Sequence, residues 1–306
     1  MQRSIMFLNN LTCIDHAHID AQGRVIGGSY HANFLIGGNV EEKEQVVVDF
    51  SRIKKDVKTI IDDRDGFDHK LWLIPGLSAC EYSRNGDRVT VTSEACELSM
   101  PADAVRVFHD TNTVENVLLS AQSAIQKHVW QELDDIYEQA DITVECALTE
   151  TQFCKNPKFS FPFRYTHGLK NSSSYGCQNL AHGHLSWIEI EHDAFYDPKC
   201  KDCKRAVKAV SEIAAQLNEA VLIFADNIYD QTYDAVQIRY ETERGEWRAK
   251  YQRDKNKLIV MERETTIENV LDWIVNQHVQ TLMMGHVKRL YVSEGLAKGA
   301  VKEFSF

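Results

Sequence analysis

Thr266-Ile-Glu-Asn-Val-Leu271 repeats Thr113-Val-Glu-Asn-Val-Leu118 at a distance of 153 residues, half the length of this 306-residue chain. Each copy opens a run with helical spacing, where the threonine is placed to cap the N-terminus and the glutamate lies near the positive end of the dipole. An offset of half the chain predicts a tandem duplication. The elements around each copy agree. The first half predicts strands near 3–17 and 30–37, a helix near 50–62 with Ile53, Val57, Ile60 and Ile61 on one face, a helix near 113–139 and a strand near 141–150. The second predicts strands near 159–168 and 184–192, a helix near 201–218 carrying Val207, Val210, Ala214 and Leu217, a helix near 266–280 and a strand near 287–294. The expected fold is α+β, with two tandem units, 1–156 and 157–306, each an antiparallel sheet with two helices on one face. The boundary falls near Asn156-Pro157, where neither element continues easily. The segments 76–110 and 229–257 exceed such a unit, and the sequence assigns them no role.

Composition narrows the function classes. A hydrophobic fraction of 43% supports sizeable cores, and a net charge of -11 without a clustered Lys/Arg excess argues against tracking nucleic-acid phosphates. No stretch approaches the ~20 apolar residues of a membrane span. The N-terminus has no long apolar core and places Asp15 and Asp20 early, which argues against a secretory signal. Eight cysteines are scattered without a framework spacing, so they read as reduced thiols of a cytoplasmic protein. Cys200-Lys-Asp-Cys203 has no second pair at finger spacing and reads as helix-start cysteines.

The chemistry concentrates in Cys177-Gln-Asn-Leu-Ala-His182-Gly-His184. On a strand, residues two apart share a face, so two imidazoles separated by a glycine can converge on one ion, the glycine leaving their face uncrowded. His167 on a neighbouring strand supplies a third nitrogen and leaves the fourth tetrahedral position open, as in a catalytic zinc site. A cupin-like reading through Gly176, His182, His184 and Glu189 is weaker, because Glu189 lies five residues after His184 and points to the opposite face. At the half-chain offset His31 matches His184, His16 falls near His167, and Ser29 stands where His182 has its counterpart. His18 is a weaker replacement for the missing ligand.

These residues resemble the 6-pyruvoyl-tetrahydropterin synthase family, which includes the 6-carboxy-tetrahydropterin synthases of the queuosine pathway. The resemblance covers nearly the whole chain as two tunnelling-fold (T-fold) units. The second unit is similar to the metal half through Phe163-Arg-Tyr-Thr-His167, Cys177, His182-Gly-His184 and Val292-Ser-Glu294. The first is similar to the proton-transfer half through Asp49-Phe50, Phe67-Asp68-His69 and Asn112-Thr113-Val-Glu115, while Ala225-Asp226-Asn227 is the nearest echo of Asp68-His69 in the second. The resemblance implies a homo-oligomer and one working site per chain, acting on the small-molecule pterin 7,8-dihydroneopterin triphosphate. It implies Zn2+ on His167, His182 and His184, Cys177 as base, and Asp68 orienting His69 as proton shuttle. Thr113 and either Glu294 or Glu150 would hold the pterin. The Cys177-to-His182 interval favours the 6-carboxy product with release of acetaldehyde and triphosphate. The 6-pyruvoyl product and a non-catalytic pterin-binding protein are the alternatives.

Overall fold

A computed structural model describes residues 2–43, 45–108, 116–151 and 157–304. The first half contains β1 (Arg3–Ile19), β2 (Val25–Asn39), α1 (Phe50–Asp62), β3 (Lys70–Leu73), β4 (Glu81–Asn85), β5 (Arg88–Thr92), β6 (Cys96–Pro101), β7 (Val105–Val107), α2 (Val117–Ile136) and β8 (Thr143–Thr149). The second contains β9 (Ser160–His167), β10 (His182–His192), α3 (Lys201–Leu217), β11 (Ala220–Phe224), β12 (Ile228–Gln231), β13 (Ala235–Thr242), β14 (Gly245–Gln252), β15 (Lys257–Met261), α4 (Ile267–Met284), β16 (Val287–Glu294) and β17 (Lys298–Glu303).

Helix starts follow side-chain chemistry. The Asp49 carboxylate accepts from the backbone N–H of Ser51 at 2.9 Å and of Arg52 at 3.0 Å, and α1 buries Ile53, Val57, Ile60 and Ile61, the predicted face. The repeated helix start behaves differently from its reading. Asn116 caps α2 by accepting from Leu119 N at 2.9 Å, whereas Thr266 occupies the N-cap of α4 without a side-chain bond. Thr113 lies outside the described residues.

Three sheets result. The first runs β7-β3-β1-β2-β8 and the second β15-β11-β9-β10-β16-β17. Both are mixed rather than antiparallel: β3 runs parallel to β1 and β7, and β11 parallel to β9 and β15. The cause is the connection through α1 or α3, which returns the chain to the free edge of the first strand in that strand's own direction. One face of each sheet is covered by its two helices. Ile53, Val57, Ile125 and Val129 pack with Phe34 and Ile36 in the first half, and Val210, Ile213, Val270 and Ile274 with Ile188 and Ile190 in the second.

The third sheet, β12-β13-β14-β6-β5-β4, is built from the two segments that the repeat left over. Its central pairing joins the halves: β14 lies antiparallel to β6 with Arg248 opposite Ser99 and Tyr251 opposite Cys96. Alternation in these strands buries Val89, Val91, Leu98, Val236, Trp247 and Tyr251 against Ala17, Ile19 and Leu71 of the first sheet and Val221 and Ile223 of the second. Strands from both halves therefore share one sheet and one core.

Candidate metal centre and active site

His167 ends β9, His182 and His184 begin β10, and the antiparallel register sets His182 directly opposite His167. The Nε2 atoms of His167 and His184 are 3.2 Å apart, and the rings of His167 and His182 are 4.4 Å apart. Two nitrogens bound ~2.0–2.1 Å from one tetrahedral zinc would be about 3.3 Å apart. Two of the other ring nitrogens are hydrogen-bonded, and the third faces a carboxylate without a hydrogen bond to it. His167 Nδ1 donates to the Thr265 carbonyl at 2.9 Å, His182 Nδ1 donates to the Asn179 carbonyl at 2.6 Å, and His184 Nδ1 is 3.2 Å from a carboxylate oxygen of Asp15. Such outer partners fix the tautomer that turns Nε2 inward. Burial, together with neighbouring histidines, holds His167 and His182 well below the usual imidazole range, so they stay neutral as ligands must. The buried Nε2 of His182 has no hydrogen-bond partner, and the donor set fits a zinc ion.

Gly183 serves the opposite face from the one the sequence suggested. A Cβ there would meet the Tyr165 carbonyl oxygen at 2.5 Å and the Cα of Gly27 at 2.6 Å, so the two glycines let β2 and β10 cross in backbone contact.

The first half brings its own groups to this place. Asp68 accepts the backbone N–H of Asp15 at 2.8 Å, and its other oxygen bonds His69 Nδ1 at 2.6 Å. His69 Nε2 lies 3.7 Å from Cys177 Sγ, and its ring centroid lies 5.2 Å from that of His182. Burial opposes charge on His69, but the neighbouring Asp68 carboxylate overrides it and raises the imidazole well above its ordinary value. Burial likewise opposes ionisation of Cys177, and the hydrogen bond and charge of His69 outweigh it, lowering the thiol. The approach requires Gly176, whose Cβ would stand 2.7 Å from His69 Cβ.

Two supporting residues escaped the sequence reading. Buried Asp15 touches His184 and accepts the Ser29 hydroxyl at 2.5 Å; its pKa is lowered against the pull of burial by the charge of His184. Asn179, fully buried, donates to the carbonyls of His69 at 2.9 Å and Ala104 at 3.1 Å, and accepts from Ala181 N at 3.0 Å. No spacing rule pointed to either, because their partners are distant in sequence. Asn179→Asp would set an oxygen against two carbonyl oxygens and is expected to cost about 3 kcal/mol in a urea titration. A loss below about 1 kcal/mol would show that these bonds contribute little.

Strand registers correct the sequence alignment of the two halves. His16 pairs with Gly28 and His18 with Ile26, as Tyr165 pairs with His184 and His167 with His182. The counterparts of His167, His182 and His184 are therefore His18, Ile26 and Gly28, and not His16, Ser29 and His31. The half-chain offset fails here because β1 and β2 are joined by the short 20–24 turn, whereas 168–181, which carries Cys177, joins β9 and β10. Ser29 instead supports the centre through Asp15, and also accepts Leu185 N at 3.0 Å.

Asp68-His69 also has a different partner. His69 N donates to the Asp15 carbonyl at 2.6 Å, and Glu219 N donates to the Arg164 carbonyl at 2.6 Å. Asn218 accepts from Arg164 N at 3.0 Å as Asp68 accepts from Asp15 N, and His69 and Glu219 both have left-handed backbones. The echo is Asn218-Glu219, not Asp226-Asn227. At the first unit's equivalent place, ion pairs stand instead: Glu219 with Arg24 at 3.0 Å and Glu150 with Arg164 at 2.8 Å. Among the described residues, every group of three His, Cys, Asp or Glu side chains close enough to share an ion belongs to the one centre around His69 and His182.

Glu294 and Glu150 occupy equivalent ends of β16 and β8. Glu294 pairs with Lys298 at 3.3 Å, and its charge helps to raise Tyr165 beside the histidines, after burial; Glu150 lies with Arg164 on the other side. Glu189 is absent from the metal-ligand groups and faces away from the histidines along β10, which removes the cupin-like arrangement. Cys200 and Cys203 are free thiols at the start of α3.

The fold and site define an α+β protein with a three-histidine cluster flanked by a carboxylate, an imidazole and a thiol in contact, drawn from two halves of one chain. The sequence matches no protein-family model and no curated protein. Similar solved structures include 6-pyruvoyltetrahydropterin synthase from Plasmodium vivax, with 19% identity and a TM-score of 0.33, spanning 49% of this chain and 98% of that one. The 6-pyruvoyl tetrahydropterin synthase of Plasmodium falciparum has 16% identity and a TM-score of 0.33 over 49% and 98%. An uncharacterised Wolinella succinogenes protein has 12% identity and a TM-score of 0.33 over 48% and 96%.

Proposed function

We propose that this chain is a zinc-dependent lyase of the 6-carboxy-5,6,7,8-tetrahydropterin synthase type, made of two tandem T-fold units, 1–156 and 157–306. Its substrate is 7,8-dihydroneopterin triphosphate, and its place is queuosine or 7-deazaguanine biosynthesis. The observation that carries the reading is the meeting of Asp68 and His69 with Cys177 beside His167, His182 and His184 within one chain.

A zinc ion on the three histidines would polarise the side-chain hydroxyl oxygens and ease loss of the neighbouring protons. Cys177, whose thiol His69 lowers against the pull of burial, takes the proton from the side-chain carbon. His69, oriented by Asp68, moves a proton to and from the substrate oxygens. Glu294, at the centre's edge, accepts from the pterin amino and ring N–H groups, while Glu150 is held by Arg164 away from the metal. The chain works in the cytoplasm as a homo-oligomer. Among the described residues no strand pairs with the outer edges of β8 and β17, and these edges, with exposed Ile5, Phe7 and Leu35 on the first sheet, support association. No helix among the described residues is long and apolar enough to cross a membrane.

Purified metal-loaded protein is expected to convert the triphosphate substrate to the 6-carboxy product with one acetaldehyde and one triphosphate released. Cys177→Ala should lower turnover by about 10³-fold, as loss of a positioned base does. Unchanged turnover in that variant would remove Cys177 as the base. Triphosphate release without acetaldehyde would instead favour the 6-pyruvoyl product.

A further inference from the structure

The loop 168–181 delivers Cys177, and the third sheet grips it from behind. Arg244, at the turn between β13 and β14, has a side chain only 2% exposed. It donates to the Tyr175 carbonyl at 2.7 Å and to Asp103 Oδ1 at 2.9 Å. Its guanidinium lies 3.8 Å from the centroid of the Tyr175 ring and 4.9 Å from that of Trp247. The Tyr175 hydroxyl bonds Asp103 and Arg64 of the first half. Lys70, next to His69, donates to the Arg64 and Asp103 carbonyls at 2.7 and 2.6 Å. A planar fork that binds a carbonyl and a carboxylate while stacking on an aromatic ring fixes position in three directions, which a point charge does not.

A single residue, Gly176, separates this grip from the thiol, and it rests on the His69 side chain. On the other side of the thiol the Tyr240 hydroxyl, on β13, donates to the Gln178 carbonyl at 2.9 Å. Two of the three histidines have their outer partners off the loop, at Thr265 and Asp15, and the third leans on Asn179 at the loop's end, which the His69 and Ala104 carbonyls hold separately from the clamp.

We propose that the shared sheet is a clamp on the Cys177 loop, with Arg244 and Tyr175 as positioning residues that seat the thiol on His69. The inference rests on reading Cys177 and His69 as the proton-transfer pair. It accounts for the segments beyond the minimal unit, since the two parts of the site come from different halves of the chain and their alignment is set by the sheet that both halves build.

The test uses the metal-loaded full chain and compares Tyr175→Ala, Arg244→Met and Arg244→Lys. Tyr175→Ala leaves the Arg244–Asp103 pair intact and so avoids orphaning a buried charge. In Tyr175→Ala and Arg244→Met, amide exchange in 168–181 is expected to accelerate about 10-fold while β9 and β10 keep their protection. Turnover of dihydroneopterin triphosphate should fall about 30-fold in kcat with KM within about twofold, and metal content should hold, because a misplaced catalytic group costs rate rather than binding. Arg244→Lys keeps the charge beside Asp103 without the fork, so it should recover the melting temperature of the wild type but not its kcat. Unchanged loop exchange or unchanged kcat in Tyr175→Ala would overturn the proposal, as would loss of metal in step with kcat. A wild-type protein inert toward the pterin would count against the assigned reaction, and the exchange measurement would still decide whether the clamp exists.

Discussion

His182→Ala is expected to bind no stoichiometric metal and to lose about 10³-fold or more in turnover, the rate equivalent of several kcal/mol of transition-state stabilisation. The wild type should carry about one zinc per chain, because the histidine positions of the other unit are His18, Ile26 and Gly28. His182 is the choice for substitution because its Nδ1 is already committed to Asn179 and its inward Nε2 has no other partner. Removing the ring should leave the strand pairing untouched, so circular dichroism should match the wild type. Metal measured by elemental analysis decides the matter: one zinc retained in His182→Ala would place the ion elsewhere, and two in the wild type would mean that the first unit also binds.

Gly27→Ala should be severely damaging for a single added methyl. The added Cβ would stand 2.1 Å from the Tyr165 carbonyl oxygen and 2.8 Å from the His184 backbone nitrogen, and neither atom can move without shifting β9 or β10. Overpacking against backbone is expected to cost about 3 kcal/mol or more, read as a lowered denaturation midpoint. Because the displaced nitrogen belongs to His184, a proposed zinc ligand, zinc affinity should fall with stability. A Gly27→Ala protein with the wild-type midpoint and full zinc content would mean that the two sheets can separate at this crossing without cost.

Much of the fold was legible because its signals are local. Period-2 and period-3.6 patterns placed β1, β2, β8, β9, β10, β16 and all four helices, and the α1 face matched residue for residue. The parallel strands β3 and β11 were not read, since strands of four and five residues, buried almost throughout, carry no alternation. The third sheet was missed for another reason. Its strands are short and alternate properly, but each half contributes only three, and a three-strand fragment names no partner. The ligand set His167, His182, His184 and the pair Asp68-His69 were visible as types at suggestive spacing. The equivalence of the halves was misjudged at His16, Ser29 and His31, because hydrogen-bond register, not residue count, decides which residues correspond when connecting loops differ in length.

The sequence by itself determined the half-chain repeat of Thr-Val/Ile-Glu-Asn-Val-Leu, the main strands and helices, and the types of residue gathered at the candidate site, most of which depend on neighbours a few positions apart. Only the tertiary structure decided that Asp68 and His69 reach Cys177 in the same chain, that Asp15 and Asn179 brace the centre, and that one sheet binds both halves. Those facts rest on contacts between residues more than 100 positions apart, such as His69 with Cys177, 108 apart, and Arg88 with Glu246, 158 apart. Their geometry is set by sheet crossing and close packing, which appear only when the whole chain is folded.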